Sequence, residues 1–374
     1  MKIVFLCGSL EPGRDGVGDY TRRLAVELLR QDQKVALVAL NDRHIHYKIA
    51  GQQDAEGLSL PILRLPAALP NKTRFSQAKK WIDDFDPEWL SLQFVPFSFQ
   101  LKGIPFGLGS ELKKMGNGRQ WHIMFHELWV GMNERATVKE VIWGSVQRLL
   151  IKGLVSKLQP EFMQTQCQLY LQQLATIGVK ASYLPLFTNI PASDKSTEPG
   201  QVCAAQKLPV TLLLFGNINP GAPIEQLATE AAMFASDNKD QVDLVFIGRC
   251  GPEQERWANV WKAVGLPVRL LGEQTPDFIS AEMSKATIGI VTTPLVLVEK
   301  SGAVAAMLSH KLPVLCVSKP WQPRLKAHFS LPHGIMEYTA GNFEECLTQT
   351  PKIDSYATVA DVSRQFMKMI LARA

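Results

Sequence analysis

The sequence has little of what marks secreted or disulfide-rich proteins. Cysteine is scarce, with six in 374 residues, and no two of them have a paired spacing. They are Cys7, Cys167, Cys203, Cys250, Cys316 and Cys346. Such scattered thiols argue against a disulfide framework or a zinc site and favour a reducing, cytoplasmic compartment.

Long apolar runs and concentrated charge are also missing. The amino-terminal run MKIVFLCGSL is too short for a signal peptide, and no segment approaches the length of a membrane span. The net charge of +5 is mild and does not form the basic stripe typical of a nucleic-acid binder. It is compatible with anionic ligands, or with peripheral contact at an anionic inner membrane surface.

The composition and length of the chain indicate a globular protein with two domains. Hydrophobic residues make up 46% of the chain and charged residues 20%. Its 374 residues exceed the roughly 250–300 at which a single core stops growing. The clearest linker is the polar, proline-bearing stretch 188–209. We predict a first domain at 1–190, a linker at 191–208, a second domain at 209–352 and a terminal helix at 353–374.

The first forty residues alternate strand, loop, helix and strand. Residues 2–7 and 34–40 are apolar enough for buried strands, and 20–30 has an amphipathic pattern. This opening predicts a Rossmann-like α/β domain, although its glycines are too widely spaced for the dinucleotide fingerprint. Gly16 and Gly18 precede the helix, where bare backbone amides would meet a ligand. Glycines that serve only the turn are the other interpretation.

Two further apolar strands are followed by polar residues. The strands are predicted at 89–94 and 121–125; Gln93 lies at the end of the first, and His126 and Glu127 follow the second. Ligands bind at the carboxyl ends of strands in open α/β sheets, so these three are candidate site residues. A purely structural histidine is the alternative.

The stretch 294–317 organises the second half, which begins with predicted strands at 210–215, 242–247 and 287–291. Ser301 and Gly302 open a short apolar helix, and an apolar run typical of an interior strand follows it. The amino end of a helix favours negative charge, and Lys300 adds a positive charge beside Glu299. We predict an anion site here, with an ordinary capped core helix as the alternative.

Two long helical patterns complete the chain. The segment 138–158 carries basic residues along an apolar pattern, which suits either an anionic bilayer surface or a solvated core helix. The segment 356–372 follows the predicted second sheet and carries Phe366 on an apolar stripe. We predict that this last helix crosses back and packs on the first domain.

Together these residues resemble the retaining glycosyltransferases of the GT-B fold, family 4. The resemblance covers essentially the whole chain, and its most specific pieces are DGVGDYTRRLAVELL at 15–29 and EKSGAVAAMLSHKLPVL at 299–315. It implies two Rossmann-like domains facing a central cleft. It also implies a sugar transferred from a nucleotide-sugar donor on the second domain to an acceptor on the first.

Carried over residue by residue, the resemblance gives each candidate a role. His126 and Glu299 would be the catalytic residues, at the transferred sugar. Asp19, Gln93 and Glu127 would lie on the acceptor side. The donor would be bound by Gly16, Gly18, Asn217, Arg249, Lys300, Ser301 and Gly302.

Three positions depart from the family pattern. An arginine and a lysine usually grip the diphosphate after the first strand of the second domain, and here Asn217 and Ala222 occupy those positions. A second glutamate usually binds the ribose hydroxyls, and here that position is Met307 or Ala306, depending on the count. Losing two charge-assisted bonds of about 1.5–3 kcal/mol each would weaken a diphosphate roughly a hundredfold or more.

Lys300 and Arg249 are expected to supply the missing positive charge. The resulting hypothesis is a metal-independent, hexosyltransferase-like enzyme of carbohydrate biosynthesis. It needs no resident cofactor beyond its nucleotide-sugar co-substrate, and it acts on a sugar, glycan or lipid-linked acceptor rather than on nucleic acid. The rival hypothesis is a non-catalytic GT-B protein that binds a nucleotide, a sugar or a protein partner.

Overall fold

The computed structural model describes residues 1–192, 209–326, 330, 332–353 and 355–373. Within these, the chain forms two compact units. The first unit contains residues 1–185, 322–326 and 359–373, and the second contains the other described residues between 186 and 358. Cys203 and most of the predicted linker lie outside the described residues.

The first unit is an eight-stranded sheet with helices on its faces. The strands follow the order β3-β4-β2-β1-β5-β6-β7-β8. Its elements before the second unit are β1 (Lys2–Cys7), α1 (Gly16–Arg30), β2 (Lys34–Asp42), β3 (Ile49–Ala55), β4 (Leu58–Pro66), α2 (Asn71–Phe85), β5 (Trp89–Phe94), α3 (Pro96–Phe99), α4 (Leu108–Gly116), β6 (Gln120–Phe125), α5 (Val138–Leu158), β7 (Phe162–Thr165), α6 (Gln168–Thr176) and β8 (Ser182–Tyr183).

The middle of this sheet is parallel and buried. Strands β1, β2, β5 and β6 are buried along nearly their whole length, as expected of parallel strands covered on both faces. At one edge β3 pairs antiparallel with β4 through a two-residue turn at Glu56 and Gly57. Both turn residues have positive φ, 49° and 76°, which suits the twist of a hairpin.

The second unit is a six-stranded sheet of parallel strands in the order β11-β10-β9-β12-β13-β14. Alternate residues of β10 enter two separate apolar clusters, Phe246 in one and Val245 in the other. The elements are β9 (Val210–Phe215), α7 (Ile224–Asn238), β10 (Val242–Ile247), α8 (Glu253–Ala263), β11 (Val268–Leu270), α9 (Pro276–Lys285), β12 (Ile288–Val291), a 3-10 turn (Leu295–Lys300), α10 (Gly302–Ser309), β13 (Val314–Cys316), β14 (Ile335–Glu337) and α11 (Phe343–Thr348).

A last helix, α12 (Val359–Leu371), belongs to the first unit. Phe366 is fully buried, and its ring centroid lies 5.8 Å from that of Phe5 and 5.1 Å from that of His122. Gln31 of α1 donates a hydrogen bond to Ser363 at 2.7 Å. The prediction that the last helix packs on the first domain is confirmed.

Most predicted strands and helices are present within a few residues of their predicted ends. The predicted start of the first helix at residue 20 is wrong, because α1 begins at Gly16. The sequence reading gave no element between residues 41 and 88, where β3, β4 and α2 lie. Among the described residues no helix combines the length and the apolar character needed to cross a bilayer.

Candidate functional site

The predicted first-loop glycines lie in the first turn of α1. Asp15 is the N-cap residue, and its carboxylate accepts a hydrogen bond from the Gly18 N–H at 2.8 Å. Gly18 is buried, and a Cβ there would lie 2.6 Å from the carbonyl oxygen of Ser9. Its amide is therefore engaged within the protein, and close packing requires glycine. Gly16 is exposed, with open space where a Cβ would lie.

A buried carboxylate at the end of β2 holds the loop that precedes α1. Asp42 accepts hydrogen bonds from the Ser9 hydroxyl at 3.1 Å, the Leu10 amide at 3.2 Å and Arg64 Nε at 2.7 Å. Burial opposes ionisation of Asp42, but the bonds from Arg64 and from backbone amides outweigh it and hold its pKa below the usual value. The loop therefore has a fixed ionic anchor.

His126 is buried directly after β6, between two glutamine side chains. Its Nε2 is 2.9 Å from Oε1 of Gln93, and its Nδ1 is 3.2 Å from Oε1 of Gln166. The ring of Tyr20 meets it edge-on, with the centroids 5.0 Å apart. The structure thus brings the candidates His126 and Gln93 into contact. Because both ring nitrogens are engaged within the protein, His126 can touch a sugar only if one of these bonds opens.

Gln166 belongs to a row of buried polar residues that the sequence reading missed as a group. The row lies on one face of β5, β6 and β7 and the residues after them, and consists of Ser91, Gln93, His122, His126, Gln164 and Gln166. Burial lowers the pKa of His122 to about 3, and the charge of His126 adds to the effect. The signal that could have revealed this row is the alternation of polar residues in three strands that become neighbours.

The other two acceptor-side candidates are Asp19, on α1, and Glu127, directly after His126. Asp19, in the first turn of α1, pairs with Arg22 and accepts a hydrogen bond from the Gly13 amide at 3.0 Å. Glu127 is half-buried, and its amide lies 3.4 Å from the carbonyl oxygen of Phe94. Asp19 helps to fix the loop before α1, so its predicted acceptor role would come in addition to a structural one.

In the second unit the loops after β9, β10 and β12 are tied together. Asn219, after β9, donates its backbone N–H to the Thr292 hydroxyl at 2.7 Å and its amide to the Thr292 carbonyl at 3.0 Å. Ile218 donates to the carbonyl of Cys250, after β10, at 3.0 Å. These bonds connect loops that all leave the carboxyl end of the sheet, where ligands bind in such sheets.

Two predicted donor residues occupy these loops. The side chain of Asn217 packs closely against the backbone of Gly251. A Cβ atom on that glycine would lie only 2.6 Å from Oδ1 of Asn217. Arg249 is 46% exposed and pairs with Glu273 at 3.2 Å. An exposed pair of this kind is weak enough to exchange for another anion.

Lys319 is a cation near these loops that the sequence reading missed. It follows β13, and its Cδ lies 3.3 Å from where a Cβ of Gly221 would be. Its side chain is exposed, and among the described residues its ammonium group makes no hydrogen bond or ion pair. The proximity arises because β13 and β9 both flank β12, which linear sequence does not reveal.

Glu299 and Lys300 end the 3-10 turn that leads into α10. Ser301 is the N-cap, and its hydroxyl accepts a backbone N–H of the first helical turn at 3.4 Å, so the predicted helix start is confirmed. Glu299 is 8% exposed; burial, followed by the charge of Glu299, raises the pKa of Tyr356. Gly302 is exposed, with open space where a Cβ would lie.

Of the three positions that depart from the family pattern, Asn217 is exposed and the other two are closed to a ligand. Ala222 is 2% exposed, and both Ala306 and Met307 are fully buried. Met307 packs under Gly289, where a Cβ would collide with its sulfur. Met307 therefore belongs to the core, and neither buried position offers a side chain that can hydrogen-bond a diphosphate or a ribose.

The described residues offer neither a metal cluster nor a disulfide. No group of three or more histidine, cysteine, aspartate or glutamate side chains that could hold a metal ion occurs among them. The five described cysteines are buried thiols. Burial raises the pKa of Cys250 to about 11 and that of Cys316 to about 12, which leaves both protonated at neutral pH.

Comparison with known proteins finds matches among solved structures and none by sequence. No protein-family model matches the sequence, and no curated protein does. The structure of HepE from Anabaena in complex with UDP and glucose matches with a TM-score of 0.61, 14% identity and full coverage of both chains. The chain has the GT-B fold.

Two further solved structures extend the likeness. The lipopolysaccharide outer core galactosyltransferase WaaB, in its apo form, matches with a TM-score of 0.56 and 13% identity. The UDP-GlcNAc 2-epimerase from Neisseria meningitidis bound to UDP-GlcNAc matches with a TM-score of 0.57 and 13% identity. Both cover all of this chain and all of their own. At such identities the likeness establishes the fold.

Proposed function

We propose that this protein is a retaining glycosyltransferase, similar to family 4, that moves a sugar from a nucleotide-sugar donor to an acceptor. The second unit would bind the donor and the first unit the acceptor. Uracil is the first base to test, because HepE binds UDP and glucose and the epimerase binds UDP-GlcNAc. The acceptor would be a sugar, a glycan or a lipid-linked sugar.

The observation that carries this proposal is the amino end of α10. Ser301 caps the helix, exposed Gly302 leaves its first turn accessible, and Lys300 stands directly before it. Free amides, the helix dipole and a cation together favour a diphosphate at this point. Buried Glu299, one residue earlier, would accept hydrogen bonds from sugar hydroxyls.

The diphosphate would be held by a set of cations different from the family pattern. Lys300, Arg249 and Lys319 lie beside the loops at the carboxyl end of the second sheet and would replace the missing arginine and lysine. Negative charge develops on the departing diphosphate during transfer. Preorganised amides and cations would stabilise this charge more in the transition state than in the ground state.

A turnover assay tests the proposal. The full chain is incubated with UDP-, GDP- and ADP-linked hexoses, and release of the nucleoside diphosphate is followed with and without simple sugar acceptors. The proposal expects release from one donor class, faster with an acceptor, and a product with the anomeric configuration of the donor. Interconversion of the donor into a 2-epimer would favour an epimerase instead.

The non-catalytic hypothesis retains one specific support. Asn217 and buried Ala222 remove the two usual diphosphate cations, and Met307 is sealed in the core. If nucleotides bind and raise the stability of the protein while no donor is turned over, this second hypothesis becomes the better one. Ligand at about 100 times its Kd raises the free energy of unfolding by about 2.7 kcal/mol, which a thermal-shift panel detects.

We also propose peripheral contact between the first unit and an anionic membrane. Helix α5 exposes Val138, Ile142 and Leu149, each more than 60% accessible, beside exposed Lys139 and Lys152. Apolar side chains flanked by lysines suit the boundary between headgroups and acyl chains. Sedimentation with phosphatidylglycerol vesicles, but not with phosphatidylcholine vesicles, is expected, and Leu149→Ser should weaken it. Equal sedimentation with both lipids would contradict the contact.

A further inference from the structure

The first unit contains a large cavity that none of the site assignments above uses. It has a volume of about 800 Å³ and lies between α2, α4 and the loop that precedes α4. Ligand pockets commonly have volumes of about 300–1,000 Å³, so the space is sufficient for a small organic molecule.

Arg74, on α2, lines this cavity and is 7% exposed. It donates a hydrogen bond to the Leu40 carbonyl at 2.9 Å and further bonds to the side-chain oxygens of Asn41 and Asn71. All three acceptors are neutral. Its Nε is buried and has no partner among the described residues. Burial without a carboxylate lowers the pKa of Arg74.

The two other buried arginines of this unit each have a carboxylate partner. Arg22 pairs with Asp19, and Arg64 pairs with both Asp42 and Glu11. A buried charge normally requires such compensation, because its removal from water costs several kcal/mol. No ion pair of Arg74 occurs in the described part of the chain. The guanidinium group therefore has the environment expected of an anion-binding residue whose anion is a ligand.

The charge around the cavity points the same way. Four cations line it, Lys72, Arg74, Lys79 and Lys114, against one carboxylate, Glu111. Glu111 is paired with Lys114 at 3.2 Å, and Lys79 is paired with Asp83, so Lys72 and Arg74 are the lining cations without a carboxylate partner among the described residues.

The remaining walls are mainly apolar, although Asn41, Asn71, Ser76 and Gln100 also line the cavity. The apolar residues include Phe75, Phe99, Ile104, Phe106, Leu108 and Met115. Phe106 is 73% exposed although it lines the cavity, so the opening has an apolar edge at the surface. A smaller cavity of about 100 Å³ shares Pro105, Gly107 and Leu108 with the large one and continues the apolar walls toward Leu149 on α5.

We propose that this cavity binds an anionic amphiphile, a molecule with an oxyanion head and an apolar chain. The head takes hydrogen bonds from Arg74 and the surrounding lysines, and the chain lies along the phenylalanine side chains toward Phe106. A free inorganic anion would leave the apolar walls unused, and a neutral chain would leave Arg74 uncompensated. This proposal does not rest on the proposed sugar transfer, and its test is a binding measurement.

Calorimetric titration of the full chain with decyl phosphate, below its micelle concentration, tests the proposal. One molecule is expected to bind per chain, at least tenfold more tightly than either decanol or inorganic phosphate. Arg74→Gln should raise the Kd for decyl phosphate tenfold or more and leave decanol binding unchanged. Arg74→Lys, which keeps the charge, should lose less. A charge-assisted hydrogen bond is consistent with this size of effect.

Exposed residues keep the test decisive if Arg74 variants fold poorly. The double variant Lys72→Gln, Lys114→Gln should also weaken decyl phosphate, whereas Lys113→Gln, on the same helix but outside the lining, should not. Absence of saturable binding by the parent would overturn the proposal. Equal affinity in the parent, the double variant and the Lys113 control would overturn it as well.

Discussion

At the scale of single residues, the positive charge near the proposed diphosphate site comes from positions other than those of the family pattern. Asn217 and Ala222 occupy the usual cation positions, while exposed Lys319 rests its methylene groups over Gly221. Lys300 directly precedes the N-cap Ser301 of α10, where a positive charge and the positive end of the helix dipole meet. A diphosphate bound at this point would interact favourably with both.

Replacing either lysine should weaken nucleotide binding specifically. Lys319→Ala and Lys300→Ala should each raise the Kd for a nucleoside diphosphate about ten- to a hundredfold, since each loses a charge-assisted interaction of about 1.5–3 kcal/mol. Arg249→Ala should show a loss of the same kind. Lys262→Ala, at an exposed position on α8, is the matched control and should bind like the parent. Unchanged affinity in all the site variants would show that the diphosphate does not lie there.

His126 should affect transfer without affecting the nucleotide. His126→Ala would leave Gln93 and Gln166 buried without their partner, at a cost of about 1–3 kcal/mol in the free energy of unfolding. Because these residues lie in the first unit, we expect transfer to fall tenfold or more while the Kd of the nucleotide, measured by calorimetry, stays within twofold of the parent. A parallel loss of nucleotide affinity would contradict this separation.

At the scale of secondary-structure elements, the polar row of β5, β6 and β7 makes the first unit sensitive to acid. The pKa of His122 is about 3 in the folded protein and close to 6.5 in an unfolded chain. Between these values the unfolded state holds one proton more, so stability falls as the pH falls from about 6.5 towards 3, by about 1.4 kcal/mol per pH unit. Above 6.5 this contribution does not change.

A variant without the imidazole tests the acid effect. His122→Phe keeps a ring between Phe162 and Phe366 and removes the titrating group. Urea unfolding between pH 6.5 and 4 should show a slope with pH that is smaller by about one proton in the variant. The same slope in both proteins would assign the acid sensitivity to other groups.

Helix α12 should be essential to the stability of the first unit. Phe366→Ala removes a fully buried ring from contacts with Phe5 and His122, so we expect a loss of about 3–5 kcal/mol in the free energy of unfolding. Leu371→Ala, at a 63% exposed position of the same helix, should change it by less than about 0.5 kcal/mol. Comparable losses in both variants, measured by denaturant unfolding, would contradict the packing described for α12.

At the scale of the whole molecule, sequence was informative where apolar runs are continuous. The interior parallel strands are buried on both faces, so their patterns are strong, and strand β9 was predicted to the residue. The hairpin of β3 and β4 was missed because β3 is a mostly exposed edge strand with a polar sequence. The turn at Glu56 and Gly57 was the available signal.

The candidate site was less accessible to sequence reasoning for a physical reason. Residues near one another in the chain, such as Glu299 through Gly302, could be assigned together because one helix start positions them all. Gln166 meets His126, and Lys319 meets Gly221, only through the order of strands in each sheet. Buried Arg74 is unusual because no carboxylate pairs with it among the described residues. The amino-acid sequence alone does not show which side chains the fold brings close to an arginine.

Hydrogen exchange with a bound nucleotide sugar tests the central claim most directly, namely that the second unit binds the donor at the start of α10. The full chain is equilibrated with UDP-glucose in excess, then with GDP- and ADP-linked hexoses, and amide exchange is compared with that of the free protein. We predict slower exchange at 299–304 and in the loop after β9, with little change at the polar row of the first unit. Unchanged exchange at 299–304 with every donor, or protection confined to the first unit, would contradict the account.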